Sequence, residues 1–395
     1  MIALALLLVG SCVRPECTPV DYTRAECRVQ AANQVAMLRT ADGAEVRFQS
    51  PGSTGSSSWV ATGVLRLDDQ GRLNARVAGL GAFRISVHRN QSGAATLDLT
   101  VHNVHPAVAP LVGEVERVGL SRVLQLPLDR DVVEITGELP DGFCDRGFSL
   151  VSLGDVQTNP LQLQRIVDRL HDEAAYADSL DRPLAGLILL GDLAEFGTRE
   201  ELVEIDRILR SAPVPTATVP GNHDVYASEV AVYNETYGPG NHAFDVCSAR
   251  IALFDSGGGD MAPSIQGRLP EFLDSEAGFL LSGSHHPPFA AQATMGWTRE
   301  DQAQLLMSEL AARGADLMLA GHAHRRIEHR SAPVRQLVIG TGGATQYAVD
   351  PDYGYLRLRF ADDLEACFVS VAAPGSVNPI KEGEPITCSD PPPAL

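Results

Sequence analysis

The segment that decides the fold reads Phe148-Ser149-Leu150-Val151-Ser152-Leu153-Gly154-Asp155-Val156-Gln157-Thr158-Asn159-Pro160. A short apolar run of strand character passes into a glycine, a carboxylate and an amide, and then into a helix start. Thr158 or Asn159 suits the N-cap, and Pro160 suits the first helical turn. Beyond them Leu163, Ile166, Val167 and Leu170 recur at helical spacing, which predicts a helix with one apolar face. A strand that ends in Gly-Asp and leads into a helix is the opening unit of a layered α/β domain.

The same arrangement repeats toward the C-terminus. Strands are predicted at 187–190, 216–219, 250–254, 279–282 and 317–320. Helices are predicted at 198–209, where Thr198 and Glu201 form a capping-box pattern, and at 298–312. The chain then returns to strands at 336–339, 355–360 and 366–371. Polar clusters follow five of the strands: Gly154-Asp155-Val156-Gln157, Gly191-Asp192-Leu193-Ala194-Glu195, Gly221-Asn222-His223-Asp224, His285-His286-Pro287-Pro288 and Gly321-His322-Ala323-His324. Ligands of α/β sheets bind outside the carboxyl ends of the strands. A lone Gly-Asp turn or a lone His-X-His says little. Five clusters in order at strand ends hold five of the eleven histidines, and such a concentration points to a metal site. No thiolate is among the donors, so mixed oxygen and imidazole ligation suits Mn, Fe or Zn.

The ordered set resembles the calcineurin-like metallophosphoesterase superfamily, whose pattern runs D-x-H, G-D-x-x, G-N-H-D/E, H and G-H-x-H. The resemblance covers residue 148 onward. It implies an α/β (α+β) four-layer sandwich, two sheets between helices, with two divalent or trivalent transition-metal ions at the strand ends. By motif, Asp155, Gln157, Asp192 and His324 hold the first ion. Asp192, Asn222, His285 and His322 hold the second, so Asp192 bridges. Gln157 departs from the usual histidine: either its neutral amide oxygen ligates, or a water takes its place. In the fourth motif His285 ends its strand and His-x-Pro is the common form, which favours His285 over His286 as ligand. His286 then faces substrate or backs the ligands.

The chemistry implied is hydrolysis of a phosphate mono- or diester by hydroxide generated at the ions, which also neutralise charge on the phosphoryl oxygens. His223, beside Asn222, resembles the superfamily's general acid. Glu195 stands where the phosphoprotein phosphatases carry an Asp that orients this histidine, and is expected to do the same. Asp224 joins His223 and Glu195 as a catalytic candidate. Glu195-Phe196-Gly197 lacks the arginine of Asp-Arg-Gly, which disfavours a protein serine/threonine phosphatase. Acid phosphatase, phosphodiesterase and nucleotide-hydrolysing branches stay open. The loops 226–241 and 256–269 carry no recognisable substrate code. A non-catalytic cell-envelope module with a vestigial metal site is the competing reading, and a DNA-repair-type nuclease a further one.

Residues 12–142 read differently. Alternating apolar and polar residues at 60–67, 82–87 and 95–101, with Arg76-Val77 between them and turns such as Asp68-Asp69-Gln70-Gly71, predict a smaller all-β, Ig-like sandwich. His88, His102 and His105 are read as structural or surface residues, because no acidic ligand spacing accompanies them. The expected division is a signal peptide at 1–11, the β domain at 12–142, the phosphoesterase domain at 143–380 and a Pro-rich tail at 381–395.

The 395 residues suit two or three domains, and 44% hydrophobic residues suffice for a sizeable core. Fifty acidic against 31 basic residues leave a net charge of −19, which repels nucleic acid at long range. The apolar run 1–9 is too short to span a bilayer and reads as a signal peptide. Val9-Gly10-Ser11-Cys12 resembles a bacterial lipobox, which would place the protein in the cell envelope on a lipidated Cys12. No Lys or Arg precedes the run, and an ordinary secretory signal with a chance cysteine is the other reading. The six remaining cysteines suit disulfides in an oxidising compartment, with Cys17–Cys27, Cys367–Cys388 and Cys144–Cys247 as the expected pairs and buried free thiols as the alternative.

Overall fold

A computed structural model of the protein describes residue 17 and residues 24–40, 43–49, 62–68, 70–90, 95–225, 231–289, 296–329, 332–346 and 353–371. The N-terminal part opens on helix α1 (Ala25–Val35). Nine strands follow: β1 (Met37–Arg39), β2 (Glu45–Gln49), β3 (Gly63–Leu67), β4 (Leu73–Val77), β5 (Phe83–His88), β6 (Thr96–His102), β7 (Glu114–Val118), β8 (Ser121–Pro127) and β9 (Val132–Gly137). They form two sheets, ordered β1-β2-β5-β9 and β3-β4-β6-β8-β7. Every second residue of β9 is buried, as a half-buried strand requires. Val46, Phe48, Ile85 and Ile135 of one sheet meet Leu65, Leu99, Leu124 and Leu126 of the other in a shared core. The predicted β sandwich is therefore present.

Helix α1 is a departure from the all-β expectation. Its buried positions are Ala25, Cys27, Arg28, Ala31 and Ala32. Small residues and an arginine leave no stripe of large apolar side chains, so the helical period is faint in the sequence. The helix docks on the C-terminal half. Ala25 joins the cluster around Phe254, Met261 and Phe272. Arg28 donates from Nε and Nη2 to the two carboxylate oxygens of Asp255 at 2.6 and 2.9 Å, with both residues buried.

The C-terminal part runs β10 (Phe148–Leu153), α2 (Pro160–Ser179), β11 (Leu184–Leu189), α3 (Arg199–Leu209), β12 (Thr216–Thr218), α4 (Ala231–Tyr237), β13 (His242–Val246) and β14 (Ala249–Phe254). It continues α5 (Pro263–Gln266), α6 (Leu269–Leu273), β15 (Phe279–Ser284), α7 (Glu300–Ala312), β16 (Leu317–Ala320), β17 (Arg326–His329), β18 (Gln336–Ile339), β19 (Gly354–Phe360) and β20 (Leu364–Ser370). The cap positions are as read: Asn159 accepts from Gln162 N, and Thr198 and Glu201 form the capping box. One sheet is ordered β12-β11-β10-β19-β20, the other β13-β14-β15-β16-β18-β17. Ile251, Leu253, Leu317 and Leu319 of the second sheet share a core with the first sheet and with α2 and α3. Their strand neighbours Ala252, Phe254 and Met318 point the other way, into a core with α5, α6 and α7. The result is four layers, helix–sheet–sheet–helix, with β10, β11, β12, β14, β15, β16 and β18 directing their carboxyl ends to one crevice.

The sandwich is tied to the open edge at β12. Asn103 accepts from Thr216 N and donates to Thr216 O, replacing a neighbouring strand for one residue. Arg76, buried, donates to Thr216 O and Tyr237 O. His102 and His105 are buried structural residues, as read: His102 pairs with Ser121 and Asn74, and His105 with Leu184 O. Cys17–Cys27 and Cys144–Cys247 are disulfides as expected. Cys367 is also disulfide-bonded, and Cys388, its expected partner, lies outside the described residues. So do the leading segment with Cys12 and the tail at 381–395. No helix among the described residues is long and apolar enough to cross a membrane.

Candidate metal centre

The five polar clusters meet in the crevice. Asp155 and Gln157 follow β10, Asp192 follows β11, Asn222 and His223 follow β12, His285 follows β15, and His322 and His324 follow β16. Asp155, Asp192, His322 and His324 adopt left-handed backbone, with φ between 47° and 72°. Non-glycine residues take up that conformation at a cost of roughly 1–2 kcal/mol each. Four such residues among seven candidate ligands is the clustering of strain that functional sites show.

Two groups of donor atoms converge. In the first, Asp155, Asp192 and His324 each present a ligand atom within 4.8 Å of the others. His324 Nε2 lies 3.4 Å from Asp155 Oδ1 and 3.2 Å from the Gln157 side-chain amide. In the second, His285 Nε2 lies 3.0 Å from Asn222 Oδ1, 3.1 Å from His322 Nδ1 and 3.3 Å from Asp192 Oδ2. Ion–donor distances of about 2.0–2.2 Å place neighbouring donors roughly 3.0–3.4 Å apart around one cation. The second group has that spacing throughout these contacts, and the first has it between His324 and Asp155.

The electrostatics fit a cation too. Burial and the neighbouring Asp192 charge push the Asp155 carboxyl up to about 8. Asp192 is held below the usual carboxylate range: His285 beside it outweighs burial. Burial would depress His285, but the Asp192 carboxylate overrides it and raises the imidazole to about 9. Burial and the His285 charge lower His322 to about 3, and burial lowers His324. Neutral imidazoles are the ligating form. A cation between the two carboxylates would relieve the repulsion that opposes the ionisation of Asp155. Gln157 Oε1 is buried and without a hydrogen-bond partner among the described residues, while the nitrogen of the same amide lies beside His324. A buried amide oxygen left unpaired is costly, and coordination would satisfy it.

The donors are aimed by the main chain. His285 Nδ1 bonds the Leu190 carbonyl at 2.8 Å, and His324 Nδ1 bonds the Thr345 carbonyl at 3.0 Å, which leaves each Nε2 facing the site. Such carbonyl partners carry no signal in a sequence. Two glycines let the backbone come close. A Cβ on Gly221 would lie 2.1 Å from Asp192 Oδ1, and one on Gly340 would lie 2.6 Å from His324 N and 2.8 Å from Asp155 Oδ2. Gly221 was legible within its motif; Gly340, far from the other ligands along the chain, was not.

The three catalytic candidates separate. His223, partly exposed at the rim, turns Nδ1 to the Glu195 main-chain carbonyl at 2.8 Å. The expected Glu195 carboxylate stands 3.8 Å from the same nitrogen, so the main-chain carbonyl makes the hydrogen bond and the side chain lies at ion-pair distance. Asp224 is buried, and its oxygens accept from Leu193 N, Ala194 N and Gly221 N. Burial and the Asp192 charge push it up to about 7. It ties two ligand-bearing loops together and does not face the crevice, so its contacts are those of a positioning residue. His286, weighed only as an alternative to His285, is also brought to the centre, its ring 4.2 Å from that of His322.

No curated protein matches the chain at a significant level. Among solved structures, a purple acid phosphatase, PPD1, from yellow lupin (Lupinus luteus) seeds is similar at 13% identity and a TM-score of 0.48, covering 84% of this chain and 78% of its own. A dimetal phosphatase from Danio rerio is similar at 13% identity and a TM-score of 0.44, covering 57% of this chain and 96% of its own. GAP50, the anchor in the inner membrane complex of Plasmodium, shows 15% identity and a TM-score of 0.43, covering 62% of this chain and 89% of its own. The family model described as calcineurin-like phosphoesterase matches residues 148–326, and that stretch of the chain is a calcineurin-like phosphoesterase domain.

Proposed function

We propose that the protein is an exported phosphoesterase with a dinuclear transition-metal centre, hydrolysing phosphate mono- or diesters of small molecules. The observation that carries this reading is the pair of donor groups at the strand ends, each spaced for one cation and joined through Asp192. Asp155, Gln157, Asp192 and His324 would hold one ion, and Asp192, Asn222, His285 and His322 the other. Bound there, Mn, Fe or Zn would supply the Lewis acidity that activates water and neutralises phosphoryl charge. His223 would give the leaving oxygen its proton. Its Nδ1 is engaged with the Glu195 carbonyl, so the transfer is assigned to Nε2. Asp224 and the Glu195 carbonyl hold these groups in place.

The disulfides favour an oxidising compartment, and with the leading apolar segment they support export. A lipid anchor at Cys12 and a place in the bacterial envelope belong to the same proposal. The test is a screen of mono- and diester substrates with Mn, Fe and Zn, using Asp192→Ala as the blank. Hydrolysis by the wild type that vanishes in the blank supports the reading. A metal-loaded wild type that cleaves no ester supports a non-catalytic envelope module instead.

A further inference from the structure

His286 has no role in the assignment above, yet it is built into the centre. It is 7% exposed, and its Nδ1 has no hydrogen-bond partner among the described residues. Its main chain is held on both sides: N donates to Ser256 Oγ at 2.9 Å, and O accepts from Trp297 Nε1 at 2.8 Å and Ser284 Oγ at 2.7 Å. Pro287 and Pro288 follow and restrict the backbone further. The ring is thus fixed in place with its own polar atom unsatisfied. It sits 4.2 Å from the His322 ring and 5.0 Å from the His285 ring, centre to centre. One ring nitrogen from each of His285, His286 and His322 lies within 4.8 Å of the others.

An orphaned buried imidazole nitrogen loses its hydration without compensation, and a cation at this position would restore a partner. We propose that His286 is a further protein ligand of the second ion position, which then presents three imidazoles beside Asn222 and Asp192. This rests on the dinuclear reading above and sharpens it. The second position is nitrogen-rich, whereas the first offers carboxylate and amide oxygens with His324 alone for nitrogen. Imidazole selects Zn and its neighbours, and carboxylate and amide oxygen tolerate Mn. The two positions therefore sort ions: Zn fills the second first, and Mn is accommodated at the first.

The test uses the full chain, freed of metal and titrated with Zn²⁺ and Mn²⁺ against a competing chelator. His286→Phe keeps a flat ring against His322 and removes the nitrogens. The expected result is two ions per chain in the wild type, with Zn²⁺ affinity at the tighter position falling roughly 10- to 100-fold in the variant while the weaker position is unchanged. Cadmium-113 NMR on wild-type protein with ¹⁵N-labelled histidine removes any dependence on how the variant folds. Three histidine couplings at one cadmium and one at the other are expected. Two couplings at the richer cadmium, or an unchanged Zn²⁺ affinity in His286→Phe, would overturn the proposal while leaving the dinuclear centre standing. A wild type that binds no transition metal would overturn the dinuclear reading itself.

Discussion

Gly340→Ala is a single-methyl perturbation that should empty one ion position and spare the other. The added Cβ would stand 2.6 Å from His324 N, 2.9 Å from His324 Cα and 2.8 Å from Asp155 Oδ2. Ordinary carbon contacts begin at 3.4 Å, so the His324 backbone must retreat by about 0.8 Å and the Asp155 carboxylate by about 0.6 Å. Neither can yield cheaply. Asp155 is buried and takes both contacts from His322 N, and His324 is already in left-handed backbone. Displacements near 1 Å at a site of fixed geometry cost on the order of 100-fold. Asp192, Asn222 and His285 lie on other loops and keep their mutual spacing, whereas His322 shares the segment after β16 with His324. The expected outcome is loss of one ion at micromolar metal, retention of the other, and about 1–3 kcal/mol of destabilisation from overpacking. Stoichiometry by elemental analysis and affinity by calorimetry read this directly. Two ions bound at wild-type affinity would refute the argument that Gly340 makes room for the first position.

Other perturbations test other links. Arg28→Met leaves the Asp255 carboxylate buried without its cation and should cost about 3–5 kcal/mol in urea unfolding, with much of it restored by Asp255→Asn in the same chain. Burial and the Arg76 charge lower His242 to about 3 in the folded protein against about 6.5 in the unfolded chain. The unfolded state then binds the extra proton between those values, so stability is full above about 6.5 and declines as pH falls toward 3; His242→Phe should flatten that slope by up to ~1.4 kcal/mol per pH unit. His223→Ala should lower turnover on esters with poor leaving groups by roughly 100- to 10,000-fold while metal content is unchanged. Loss of metal in that variant would remove His223 from the acid role.

The phosphoesterase half was legible because its strands are continuous apolar runs and its ligands follow them at once. Leu150, Val151 and Leu153 are fully buried in β10, and Asp155 stands two residues further on. Caps were equally readable, since Thr198 and Glu201 act within one turn. What the sequence hid depends on contacts distant along the chain. Helix α1 escaped because its buried face is alanine, cysteine and Arg28, and Arg28 is paired with Asp255, 227 residues away. Strands β13 and β17 were not read either. Each is held as an antiparallel partner at an edge of the six-stranded sheet, against β14 and β18. The side chain read as orienting His223 lies 3.8 Å from it, and the main-chain carbonyl of the same residue, which no motif announces, lies nearer at 2.8 Å. The sequence favoured His285 over His286 as ligand, but adjacent residues in sequence reveal nothing about which ring nitrogen lacks a partner.

In the proposed function, two cations share Asp192 at the ends of these strands and serve phosphate-ester hydrolysis. The most direct measurement is metal content by elemental analysis beside hydrolysis of bis-p-nitrophenyl phosphate, on wild type and Asp192→Ala in parallel. The expected result is close to two transition-metal ions per wild-type chain, with both the ester hydrolysis and at least one ion lost in the variant. Metal-free wild type after reconstitution, or an Asp192→Ala variant that cleaves the ester at the wild-type rate, would contradict it.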